Sequence, residues 1–111
     1  MNDNNSAKLF EFAGIRTYVD QDGFLVHPEE WSRRMAAALA AADGVGDLSE
    51  DHWKVMSYVR DYWRENDVAP MVRLLCRETG LSLKQIYDLF PNGPAHGACK
   101  YAGLPRPDGC V

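Results

Sequence analysis

Three cysteines, Cys76, Cys99 and Cys110, carry the most reactive side chains of this sequence. A thiolate is a nucleophile toward sulfur, and two thiols that meet can accept, pass on or bridge sulfur atoms. Ten residues separate Cys99 from Cys110, and Cys110 is the penultimate residue. A cysteine in that position, on an arm rich in Pro and Gly, is poorly placed for core packing. It is well placed to reach into another protein's active site. The arm Leu104-Pro105-Arg106-Pro107-Asp108-Gly109-Cys110-Val111 has eight residues and spans at most about 25–29 Å when extended. It can equally fold back on Cys99, and a disulfide closing a loop of this size constrains the chain by about 3 kcal/mol. Spacing alone also admits the opposite reading, in which a helical cysteine and a terminal one are unrelated and inert. Cys76 lies in the apolar run Val72-Arg73-Leu74-Leu75-Cys76, where packing is its expected role.

Nearby cations favour a thiolate. Lys100 follows Cys99 directly, and His96 precedes it by three residues, on the same face of an expected helix. Arg106 precedes Cys110 by four residues, while Asp108 and the terminal carboxylate act in the opposite sense there. These are the candidate site residues: Cys110 and Cys99 for chemistry, with Lys100, Arg106 and His96 as auxiliaries. No nucleophile–base–orienter triad and no phosphate loop is present. His27 and His52 lack metal-ligand spacing, and His52 reads as a surface residue of a first helical turn. Arg33-Arg34 and Arg60-Asp61 read as solvated helix faces. No cofactor, no metal and no stand-alone enzymatic activity is expected.

The elements that must position the cysteines follow from periodicity and turn residues. Residues 8–26 carry strand character, with Ala13-Gly14 and Asp20-Gln21-Asp22-Gly23 as turns. A small hairpin or meander leaning on helices is predicted. From His27 the period turns helical, with Trp31, Met35, Ala38, Leu39 and Ala42 on one face, ending at Gly44-Val45-Gly46. Ser49 caps a second helix that stops near Asn66-Asp67, because Pro70 disfavours helix at Ala69. A third helix covers 70–79 and closes at Gly80; Ser82 caps a fourth through Phe90; a fifth covers 94–102 and closes at Gly103. Trp31, Trp53, Trp63, Tyr58, Tyr62 and Phe90 are the core candidates.

The chain of 111 residues fits one domain, divided as a disordered tail (1–7), a β-hairpin (8–26), a helical core (27–103) and a mobile arm (104–111). The expected fold is mainly α (α+β): a small orthogonal helical bundle with a helix-turn-helix-like element, an N-terminal hairpin and a flexible C-terminal arm. A net charge of −4 argues against a nucleic-acid binder. An odd number of cysteines without a secretion signal points to the reducing cytoplasm. No apolar run approaches the roughly 20 residues of a membrane span, so no direct membrane insertion is expected.

The C-terminal text Leu89-Phe90-Pro91, Gly93-Pro94, Ala98-Cys99-Lys100, Ala102-Gly103-Leu104-Pro105, Pro107 and Gly109-Cys110-Val111 resembles the DsrC/TusE family. The likeness extends upstream through Asp22-Gly23-Phe24-Leu25, Trp31, the Ser49–Trp53 stretch, Asp61-Tyr62 and Ala69-Pro70-Met71-Val72-Arg73, and so covers about residues 8–111. The resemblance implies that Cys110 is the sulfur acceptor and Cys99 the second cysteine of members that serve sulfite reductase. It implies a persulfide on Cys110 and a trisulfide between Cys99 and Cys110. The implied partners are the dissimilatory sulfite reductase DsrAB, a DsrMKJOP-type membrane complex, and sulfurtransferases of the DsrEFH/TusBCD type. The short connection from Gly80 to Tyr87 agrees with the sulfate-reducer type. His96 stands where the family usually has lysine, which makes charge there pH-dependent, and Asp108 stands where threonine is common. Two other readings are a sulfur relay to tRNA thiolation, which needs only Cys110, and a DNA-binding regulator built on the turn Glu78-Thr79-Gly80-Leu81-Ser82. Against the latter, the would-be recognition helix pairs Lys84 and Gln85 with Asp88, a poor phosphate contact.

Overall fold

The computed structural model describes residues 7–106. Strands β1 (Lys8–Phe12) and β2 (Ile15–Val19) form an antiparallel pair, Phe12 opposite Ile15 and Lys8 opposite Val19. Ala13 and Gly14, both at positive φ (52° and 83°), make the two-residue turn, whose twist matches that of the strands. Phe24-Leu25-Val26 adds only a single bridge, Val19 to Leu25, rather than a third strand. The reason is local. The Asp20 carboxylate accepts from the amides of Asp22 (2.8 Å) and Phe24 (3.0 Å), closing a tight turn before a ladder can extend.

The helix expected from His27 starts later. Pro28–Glu30 is one 3-10 turn, Trp31 is extended, and Ser32 caps α1 (Arg33–Ala42) by accepting from the Met35 amide. A serine oxygen that satisfies an orphan amide outweighs the helical pattern on either side of it. The rest follows expectation closely: α2 (Glu50–Asn66), α3 (Val72–Thr79) closed by Gly80, and α4 (Leu83–Leu89) with a Ser82–Gln85 capping box. The fifth helix, α5 (Pro94–Cys99), is wound as a π-helix.

The fold is mainly helical, with a hairpin packed on α1. Its core differs in kind from the aromatic set read from composition. Val55, Met56, Val59, Leu75, Ile86 and Leu104 are buried beside Phe24, Phe90 and Tyr101. The three tryptophans, Tyr58 and Tyr62 are only partly buried. A large ring with a polar edge suits the margin of a core better than its centre, and the Trp31 indole finds a backbone carbonyl there. His52, read as a surface residue, is buried: its Nε2 donates to the Leu89 carbonyl (2.9 Å) while Nδ1 faces the Ser49 amide (3.0 Å). It thereby ties the start of α2 to the end of α4. Leu104, assigned to the arm from sequence, is 1% exposed and belongs to the core.

Candidate functional site

Cys99 is 2% exposed and packs in the core at the end of α5. Four backbone carbonyls end a helix without intrahelical partners, and here each has one. The Gly103 amide donates to Lys100 O (3.1 Å) and the Leu104 amide to Cys99 O (3.1 Å), with Gly103 at φ +80°. This is a Schellman closure, which needs a residue able to hold positive φ at that position. The indole Nε1 of Trp31 donates to Tyr101 O (2.8 Å), and Arg60 donates to Ala102 O (2.9 Å). Leu104, the core residue from which the chain continues toward its C-terminus, is therefore hydrogen-bonded to Cys99 itself.

Arg60, read from sequence as solvated, is drawn inward. It also donates to Pro28 O (3.3 Å), and its guanidinium lies 4.3 Å from the centre of the Trp31 ring. Burial, with Arg64 adding to it, pulls its pKa below the usual arginine range, and Asp61 opposes the change. A cation here faces the carbonyl end of α5, the end a helix dipole makes negative. Gly103 sits against the same indole; a Cβ there would overlap the Trp31 side chain.

Asp43, the C-cap of α1, grips α5 from the other side. Its Oδ2 accepts from Lys100 Nζ (2.9 Å) and from the Tyr101 hydroxyl (2.7 Å). Tyr101 is fully buried, and that burial, reinforced by Asp43, holds its hydroxyl well above the ordinary tyrosine pKa. Lys100 is thus an ion-pair partner of a carboxylate. His96 is exposed, its ring edge-on to Phe24 at 5.6 Å between centroids. The expected shared face of His96 and Cys99 is lost because π winding, with its i→i+5 bonds, separates residues three apart. Arg106 pairs with Asp22 at 3.0 Å, where both side chains are partly exposed. Cys110, together with the rest of 107–111, lies outside the described residues, and so does the tail 1–6. Cys76 is half-buried against the core.

The structure thus ties Lys100 to Asp43 and Arg106 to Asp22, and leaves His96 exposed while Cys99 is buried. It adds Trp31, Arg60 and Asp43, which the sequence reading missed. The Ala-Gly-Leu-Pro run after α5 did signal a glycine closure. Nothing near it signalled an arginine forty-two residues away in sequence. Among the described residues no group of three or more His, Cys, Asp or Glu is arranged to hold a metal ion, and no helix is long and apolar enough to cross a membrane.

Fold and site together define a small helical protein whose C-terminal segment is rooted on a buried cysteine. The chain belongs to the DsrC-like family: residues 11–111 match the family described as DsrC like protein. It is 47% identical over 100 residues to the gamma subunit of dissimilatory-type sulfite reductase of Nitratidesulfovibrio vulgaris, covering 90% of this chain and 95% of that one. It is 38% identical to the sulfurtransferase TusE of Salmonella typhimurium, covering 90% and 97%. Among solved structures, the oxidized gamma subunit (DsrC) from Archaeoglobus fulgidus superposes with a TM-score of 0.81 at 43% identity, covering 94% of this chain and all of that one.

Proposed function

We propose that this protein is a sulfur carrier and co-substrate of dissimilatory sulfite reductase, loaded on Cys110 with Cys99 as the resolving thiol. The observation that carries the reading is the pairing of a penultimate cysteine with a second cysteine at the root of its own arm, in a chain 47% identical to a sulfite reductase gamma subunit. In this reading Cys110 receives the partly reduced sulfur, and Cys99 closes a trisulfide. Sulfite, two thiols, two electrons and four protons give the trisulfide and three waters. Four further electrons and four protons, delivered through a DsrMKJOP-type membrane complex, restore both thiols and release hydrogen sulfide. In a sulfur oxidiser the same cycle runs in reverse. The site works in the cytoplasm, where thiols stay reduced between cycles. Reach is no obstacle: Cys110 lies six positions after Leu104, the residue bonded to Cys99 O, enough for about 20 Å when extended.

The likeness to TusE supports a second reading, sulfur relay to tRNA thiolation with partners of the TusBCD type. The two differ in what Cys99 does. Intact mass and peptide mapping after incubation with sulfite reductase, sulfite and limiting reductant separate them. The expected result is one added sulfur bridging Cys99 and Cys110, no loading in Cys110→Ala, and loading without a bridge in Cys99→Ala. Loading that persists without Cys110 would sink the mechanism. A relay indifferent to loss of Cys99 would favour the tRNA reading.

A further inference from the structure

The two-thiol step requires Cys110 to return to Cys99, and the probability of that encounter depends on where the arm leaves the domain. Three groups of bonds fix the departure point. The Schellman closure holds the carbonyls of Cys99 and Lys100. Asp43 holds the side chains of Lys100 and Tyr101. The remaining carbonyls, of Tyr101 and Ala102, depend on Trp31 and Arg60 alone among the bonds seen here. Those two side chains also stack on each other, and Trp31 presses on Gly103, where the chain turns. Arg60 is a poor choice for stability alone, since a partly buried guanidinium gives up hydration to serve two main-chain carbonyls. Its fork suits holding two backbone segments in one geometry.

We infer that Arg60 and Trp31 are positioning residues for bridge formation: they lock residues 99–104 so that the chain leaves the domain from a point hydrogen-bonded to the Cys99 backbone. This rests on the two-thiol reading above. Loss of either side chain leaves a terminal carbonyl unpaired and frees the Gly103 turn. The bond from the Leu104 amide to Cys99 O then opens more often, the arm departs over a wider range of directions, and Cys110 meets Cys99 less often.

The test uses the full chain carrying Cys76→Ser, equilibrated in buffers of reduced and oxidised glutathione. Cys99 and Cys110 lose two electrons and two protons to form their disulfide, and glutathione disulfide takes these up to give two glutathione thiols. The disulfide stands in for the sulfur bridge. Alkylation and intact mass give the bridged fraction, and amide exchange at Gly103 and Leu104 reports on the root. Arg60→Ala is expected to lower the effective concentration of the pair about tenfold or more, the scale of a lost hydrogen bond to a charged group, and Trp31→Phe, which removes a neutral bond, about threefold or more. Exchange at Gly103 and Leu104 should quicken, while mixed-disulfide formation at Cys110 stays unchanged. Arg60→Lys should recover part of the loss. Unchanged bridging in folded Trp31→Phe and Arg60→Ala overturns the inference, as does a loss that tracks global melting with no local change in exchange. If the parent chain takes glutathione on Cys110 yet forms no bridge, the two-thiol reading fails, and the positioning role with it; a bridge in the parent that both variants retain removes the positioning role alone.

Discussion

Asp43 shows how one carboxylate changes the reading of its neighbours. From sequence, Lys100 looks like a cation offered to the thiol of Cys99. In the fold its ammonium lies 2.9 Å from Asp43 Oδ2, with only 14% of the side chain exposed. The same oxygen takes the Tyr101 hydroxyl, and the raised Tyr101 pKa has a consequence for stability. The unfolded chain releases this proton near the ordinary value of 10.0, while the folded protein keeps it to higher pH. Above that point the folded state holds more protons than the unfolded one, so stability falls as pH rises. The contribution of Tyr101 is complete below pH 10 and is lost as pH climbs toward the raised folded value. Tyr101→Phe is expected to cost about 1–3 kcal/mol at neutral pH and to flatten the alkaline limb of a urea-denaturation series run from pH 8 upward. An alkaline limb as steep as that of the parent would contradict this account.

At the scale of the element, α5 is set by what closes it. Its π winding leaves His96 exposed and Cys99 buried, and its glycine closure brings Leu104 back to the Cys99 carbonyl. Gly103 is required twice, for its φ of +80° and for its contact with Trp31. Gly103→Ala therefore meets a left-handed backbone penalty of about 1–2 kcal/mol and overpacking of about 1–3 kcal/mol. We expect a loss of about 2–4 kcal/mol in chemical denaturation, together with faster amide exchange at Leu104. An effect under about 0.5 kcal/mol would mean that the root is looser than the contacts imply. Gly97 is constrained by contact alone within α5, where a Cβ would lie 2.7 Å from Phe90 Cβ.

Over the whole molecule, charge and connectivity decide between partners. The net charge is −4, and on α4 the Lys84 ammonium is paired with Asp88 at 3.2 Å. A phosphate-binding helix needs unpaired cations facing outward. Fluorescence anisotropy with a labelled duplex is therefore expected to show no saturable binding below about 10 μM protein at about 150 mM salt. Saturable binding whose affinity falls steeply with salt would revive the regulator reading. The α3–α4 turn instead packs within the helical array, with Thr79 buried and its hydroxyl bonded to Leu75 O.

The sequence by itself determined the hairpin, the bounds of α2 to α4 and the glycine closure before the arm, because caps, prolines and glycines act within a few residues of themselves. It also carried the ordered C-terminal text, with Cys99 and Cys110, by which the family is recognisable. It misplaced the start of α1, where Ser32 caps a helix that the apolar pattern begins too early, and it put His52 on the surface and Leu104 in the arm. Only the tertiary structure brought Trp31 and Arg60 to the carbonyls of Tyr101 and Ala102, and Asp43 to Lys100 and Tyr101. Those contacts join residues far apart in the chain, and each depends on where a helix end lies in space. No local pattern of charge or periodicity encodes that position; packing of the core does.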